Sequence, residues 1–155
     1  FNHALMKGAL FLAVGCIFLR ANSVQLDNLA GLGRRMPVTC FAFVLGGLGL
    51  VGVPFTVGFV SKWYLILGAL ERGWWPVAAL VLVSSLMALV YIWRFVETAY
   101  FRPPPAEAAA IAEAPLSMQI PLWILLALSI GFGINTALTA GTAHRAALWL
   151  LGNAP

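Results

Sequence analysis

Of the 155 residues, 62% are Ala, Val, Ile, Leu, Met, Phe, Trp, Tyr or Cys and only 9% are charged, against about 25% charged in an ordinary soluble domain. With a mean hydropathy of +0.95, this composition excludes a soluble enzyme or binding module and indicates an integral membrane protein. The net charge of +4 would suggest nucleic acid in a soluble chain, but here the Lys and Arg residues are scattered, with Arg34-Arg35 the one cluster, and read as topology signals and a few buried sites.

The first apolar run, 2–19, is marginal for a core that takes about 20 helical residues to cross. Since the chain opens on Phe1 and not Met, the run reads as a helix cut near its start. His3 and Lys7 lie four apart and share one helix face. Lys7 ahead of an apolar run imitates a signal peptide, but no A-x-A-like site follows and apolar runs recur downstream. A polar connection, 20–37, carries Arg20, Asp27, Arg34 and Arg35. Met36-Pro37 opens the next helix, because proline suits a first-turn position.

The second span is expected over 38–70, broken near 54–58. Residues 38–53 give about 24 Å of helix, short of the roughly 30 Å hydrocarbon core. Residues 59–70 add about 18 Å. Neither piece crosses alone and together they overshoot, which fits a helix, a break and a second helix. Pro54 removes a backbone donor and Gly58 permits unusual backbone angles. The alternative ends the span at Val60 and lays 61–70 along the interface. Gly46-Gly47-Leu48-Gly49 lies inside this span and reads as a packing surface, not a nucleotide loop.

A turn with Trp74-Trp75 suits the headgroup level. The third span is 77–99, where Arg94 and Glu97 are spaced to pair and Arg94 is explained by snorkelling. Loop 101–115 holds Arg102, a proline run, Glu107 and Glu113. The fourth span, 116–140, carries no charge. His144 and Arg145 begin a tail suited to the interface, and His144 lies outside the apolar span. Cys16 and Cys40 fall inside apolar runs and read as packing residues. The fold class is therefore all-α: a polytopic membrane helix bundle of four spans, the second discontinuous. Arg20, Arg34, Arg35 and Arg102 fall on one side, Arg72 and Arg145 on the other. The positive-inside rule puts loops 20–37 and 101–115 in the cytoplasm.

In lipid, backbone groups freed by a break must be satisfied by protein or by water in a cavity. A broken helix beside an ionisable residue is thus a pointer to an ion pathway. Lys62 follows the break, and Lys7 and His3 occupy the first span. Burial disfavours the charged form of an amine, so a lysine held out of bulk water is suited to loading and releasing a proton, and histidine titrates in the same range. Waters around the broken backbone would link such groups. The competing reading of Lys62 and Lys7 is snorkelling, with the ammonium reaching headgroups. Glu71 and Glu97 stand at span ends and no carboxylate lies within a span, so a relay would need partners from elsewhere. No phosphate loop, metal cluster or nucleophile elbow occurs. No cofactor, metal or catalytic group is expected.

Three stretches carry a family resemblance. Asn2-His3-Ala4-Leu5-Met6-Lys7-Gly8-Ala9-Leu10-Phe11-Leu12, Gly31-Leu32-Gly33-Arg34-Arg35-Met36-Pro37 and Gly52-Val53-Pro54-Phe55-Thr56-Val57-Gly58-Phe59-Val60-Ser61-Lys62 occur in that order. Together they resemble the C-terminal part of the antiporter-like proton-conducting membrane subunits. That family includes the large subunits of Mrp-type Na⁺/H⁺ antiporters and the proton-pumping membrane subunits of respiratory complex I. Trp63-Tyr64-Leu65, Gly73-Trp74-Trp75-Pro76 and Tyr100-Phe101-Arg102-Pro103 are most similar to the D-type subunit of Mrp antiporters. The resemblance implies the last four helices of a longer bundle in the cell inner membrane, with other membrane subunits as partners and protons and Na⁺ as cargo. It implies that Lys62 is the terminal lysine of a discontinuous helix near the proton exit, and that His3 and Lys7 belong to the connecting relay. The readings kept beside it are a pump subunit of an NADH:quinone oxidoreductase complex and, in another class, a membrane scaffold that transports nothing.

Overall fold

The computed structural model describes residues 1–104 and 111–152. Of the expected loop 101–115, the stretch 105–110 with Glu107 lies outside the described residues. Among those described, seven α-helices follow one another: α1 (Asn2–Ala21), α2 (Leu32–Arg35), α3 (Pro37–Val51), α4 (Val57–Glu71), α5 (Trp75–Val96), α6 (Leu116–Ile134) and α7 (Thr139–Leu150). A single 3₁₀ turn, Leu26–Leu29, precedes α2, and a widened π turn, Glu97–Phe101, ends α5. No strand occurs among the described residues. Three of the described segments are long and apolar enough to cross a membrane: Asn2–Ala21, Trp75–Phe101 and Leu116–Ile134. The molecule is an all-α membrane bundle in which the second span is split into α3 and α4.

The core forms where α1, α3 and α6 meet. Ala9, Ala13, Cys16 and Ile17 of α1 pack with Cys40 and Ala42 of α3 and with Leu122 and Leu126 of α6. Small residues allow close approach, which matters in lipid, where burial between helices brings little hydrophobic gain. The glycines of α3 are such contacts: a Cβ at Gly46 would press on Leu10, one at Gly47 would overlap Ile92, and one at Gly49 would press on Met6. Outside the core the bundle stays apolar. Leu80, Leu82 and Trp93 of α5 are all more than half exposed, as suits a face turned to lipid.

The break is set by residues 52–56. Gly52 ends α3 with φ 90°, a left-handed conformation that glycine adopts without a Cβ clash. Its N–H and that of Val53 both donate to the Leu48 carbonyl. Pro54 follows, and Phe55 takes φ 71°, which is costly for a residue with a side chain. Thr56 restarts the helix: its hydroxyl donates to the Val53 carbonyl at 2.7 Å and accepts from the Phe59 N–H at 3.4 Å, an N-cap.

Three details differ from the sequence expectations. The break lies a little earlier than 54–58: Gly52 makes the turn, and Gly58 already belongs to α4. Gly58 is needed for contact, since a Cβ there would fall on the Gly49 carbonyl oxygen. The fourth span stops at Ile134, because Asn135 leaves the helix and its side chain accepts from the Ala137 N–H at 3.3 Å; residues 139 onward form the separate α7. Glu97 pairs with Arg102 at 3.7 Å and not with Arg94, because the π turn folds Arg102 back over the end of α5. Arg102 also reaches Asp27 at 3.6 Å, which joins the two expected polar loops at one end of the bundle.

Candidate functional site

The break leaves α3 with carbonyls that have no partner in their own helix. These carbonyls also form the negative end of the helix dipole. Lys62, in the second turn of α4, reaches back to them. Its Nζ donates to the Leu50 carbonyl at 2.6 Å and to the Val51 carbonyl at 3.1 Å. A third bond goes to Ser85 Oγ of α5 at 2.6 Å. An ammonium has three donors, and all three are used. The Ser85 hydroxyl donates its own hydrogen to the Val81 carbonyl at 3.2 Å, so it faces Lys62 as an acceptor. The lysine stem runs over Gly52, where a Cβ would lie 3.1 Å from Cδ. The same glycine therefore makes the turn and clears the path of the side chain.

Lys62 opens onto a cleft of about 880 Å³ between α1, α4 and α5. His3, Lys7, Ser61, Ser84 and Arg94 also line it. His3 and Lys7 stand exposed on one face of α1. The fold thus brings the three ionisable residues named from sequence to one cleft, with Lys62 alone engaged by the broken backbone. The start of α1 is tied to α4 beside it, where Asn2 Nδ2 donates to Ser61 Oγ at 2.8 Å. Pro54 sits in the break itself, is exposed and is not among the residues lining the cleft.

Sequence reasoning missed Ser85 and the place of Arg94 on the cleft. A signal for Ser85 existed, since Ser84-Ser85 is the hydroxyl pair inside an otherwise apolar run. Arg94 was accounted for by snorkelling, which took no notice of the face it shares with Tyr91 and Met87. Chemically, the arrangement holds a cation carried by α4 on acceptors that belong to two other helices, α3 and α5. Any shift between α3 and α4 changes how well the protonated amine is held, and so ties proton binding to the geometry of the break.

A multi-pass helical membrane protein with a split span, and a lysine on the carbonyls of the first half, is the class this fold and site define. The chain belongs to the family described as "NADH:quinone oxidoreductase/Mrp antiporter, TM", which matches residues 1–88 and so includes the break, Lys62 and Ser85. It is 39% identical to NADH-quinone oxidoreductase subunit N of Desulforudis audaxviator over 136 residues, 80% of this chain and 27% of the relative. It is 29% identical to the D-type subunit of the Na(+)/H(+) antiporter of Bacillus subtilis over 147 residues, 95% of this chain and 30% of the relative. It therefore spans less than a third of the length of these relatives. Among solved structures, a chain of the Mrp complex from Dietzia sp. superposes with a TM-score of 0.78 at 24% identity, over 88% of this chain and 34% of that one. A chain of the membrane-bound sulfane sulfur reductase, an archaeal respiratory membrane complex, also superposes with a TM-score of 0.78. It is 32% identical, over 86% of this chain and 22% of that one.

Proposed function

We propose that this chain supplies the proton-handling segment of a proton-translocating subunit in a multi-subunit membrane complex, an Mrp-type antiporter in which a subunit of the D type exchanges Na⁺ for protons. The observation that carries the reading is Lys62, whose ammonium rests on the Leu50 and Val51 carbonyls at the break. Protons pass along Lys7 and His3 through water in the shared cleft to Lys62. Release follows when α3 and α4 shift and the acceptors part from Nζ. Pro54, Gly52 and Gly58 keep the break in place, and Ser85 orients the amine. No cofactor takes part in these steps. Other membrane subunits and upstream helices supply the carboxylates and the entry half of the path.

The likeness to the D-type antiporter subunit extends over 95% of the chain and supports this assembly. A second reading is a pump subunit of an NADH:quinone oxidoreductase-type complex, favoured by the 39% identity to subunit N. In it the same lysine works, but the drive comes from quinone reduction in a partner. Vesicles separate the two: sodium-driven proton movement belongs to the first and quinone-dependent movement to the second. In either complex the loops 20–37 and 101–115 face the cytoplasm across the inner membrane.

The test is Lys62→Ala in the full-length protein within its complex. Cation-dependent proton uptake into vesicles is expected to vanish while assembly persists. Uptake at the wild-type rate would instead support a scaffold that transports nothing.

A further inference from the structure

Helix α3 is held at both ends by side chains from distant parts of the chain. Lys62 takes the C-terminal end. Glu113, just ahead of α6, takes the N-terminal end. Its Oε1 accepts from the Val38 N–H at 2.7 Å and the Thr39 N–H at 3.4 Å. Its Oε2 accepts from the Thr39 hydroxyl at 2.8 Å and from the Gln119 side-chain amide at 3.2 Å. That amide also donates to the Ala114 carbonyl at 2.9 Å, which fixes the carboxylate against α6. Thr39 is fully buried and Gln119 nearly so.

This end of α3 needs such a partner. The first N–H groups of a helix have no acceptor within it. Pro37 occupies the first helical position and Met36, at the cap, makes no side-chain cap bond. A carboxylate there meets orphan donors and the positive end of the dipole together. The mechanical consequence matters more. A continuous membrane helix is held along its whole length, whereas α3 has 15 residues and stops at the break. Its position along its own axis is set by its two ends and by the packing between. A slide of one residue is about 1.5 Å, enough to undo the 2.6 Å bond from Lys62 to Leu50.

We propose that Glu113 is a positioning residue for the Lys62 site: by latching the first turn of α3 to the start of α6, it sets where the Leu50 and Val51 carbonyls stand beneath the ammonium. The inference rests on the proton-handling role proposed for Lys62. The loop before α6 thereby acts on a site at the opposite end of α3.

The experiment compares Glu113→Ala, Glu113→Gln and Thr39→Val with Lys62→Ala, all in the full-length protein in vesicles. Cation-dependent proton uptake is read per assembled complex. Glu113→Ala should lower the maximal rate about tenfold and leave the apparent KM for the cation unchanged, since Glu113 touches no part of the cleft. Glu113→Gln keeps an acceptor oxygen and should lose less. Thr39→Val should lose less again, and adding it to Glu113→Ala should cost nothing further, as expected of residues that share one contact. Wild-type rates per complex in Glu113→Ala would overturn the latch, and so would losses in the double variant that simply add. Should Glu113→Ala fail to assemble, Glu113→Gln and Thr39→Val carry the same test. A Lys62→Ala variant without uptake beside a normal Glu113→Ala removes the latch alone. A normal Lys62→Ala removes the proposed function and the latch with it.

Discussion

At the scale of single residues, Lys62 answers two needs at once. The break strands carbonyls in an apolar setting, and a charged amine there needs acceptors, so each satisfies the other. The contact with Ser85 is the part open to a mild test. Ser85→Ala removes one of three acceptors and leaves an ammonium hydrogen unmet. A hydrogen bond to a charged group is worth roughly 1.5–3 kcal/mol, and for this part-buried one the lower figure corresponds to a drop of about tenfold in transport rate if it is felt fully in the rate-limiting step. The expected result is slower proton uptake per complex with normal assembly, measured in vesicles; an unchanged rate would remove the hydroxyl from the mechanism. Lys62 and Pro54 were legible in the sequence because an ionisable residue beside a proline stands out in an apolar run. Ser85, 23 residues further on, was not, because hydroxyls inside membrane helices commonly bond to their own helix, as Ser84 does with Val81.

The break depends on close approach between elements. Gly133 of α6 lies against the Phe55 and Thr56 backbone, and Gly58 lies against the Gly49 carbonyl, so a Cβ at either would collide with main chain. Gly131, two residues before Gly133, has open space around its Cβ position. Gly133→Ala is therefore expected to destabilise the bundle by about 1–3 kcal/mol, the usual cost of overpacking, and Gly131→Ala to leave it unchanged. Thermal unfolding in detergent checks the pair, and equal effects at the two positions would contradict the packing described here. The length arithmetic of residues 38–70 made the split span readable, since neither half reaches across the core alone. The exact turn was not readable. Gly52 and Gly58 are equally permissive as residues, and the choice between them was made by tertiary contacts that a single sequence does not display. The link from Glu113 to Val38, 75 residues apart, was hidden for the same reason, whereas the end of α6 at Ile134 had a local signal in Asn135.

The whole molecule is an apolar bundle whose polar loops gather at one end, joined by Arg102 with Asp27 and by Glu113 with the start of α3. Four arginines, Arg20, Arg34, Arg35 and Arg102, belong to that end. With the positive-inside rule, a cysteine placed at Val24 should react with an impermeant reagent only from the cytoplasmic side, and one at Trp74 only from the other. The native Cys16 and Cys40 are buried and should stay silent; the reverse labelling would invert the topology. The central claim is that Lys62 gives up and regains a proton and is not only a cap on a broken helix. Arginine keeps the charge and the donors but does not release a proton at any accessible pH. The most direct measurement is proton uptake by vesicles that hold the full-length protein with Lys62→Arg, counted per assembled complex. The account predicts an assembled complex with no cation-dependent uptake. Uptake near the wild-type rate would show that a fixed positive charge suffices at the break, and would contradict it.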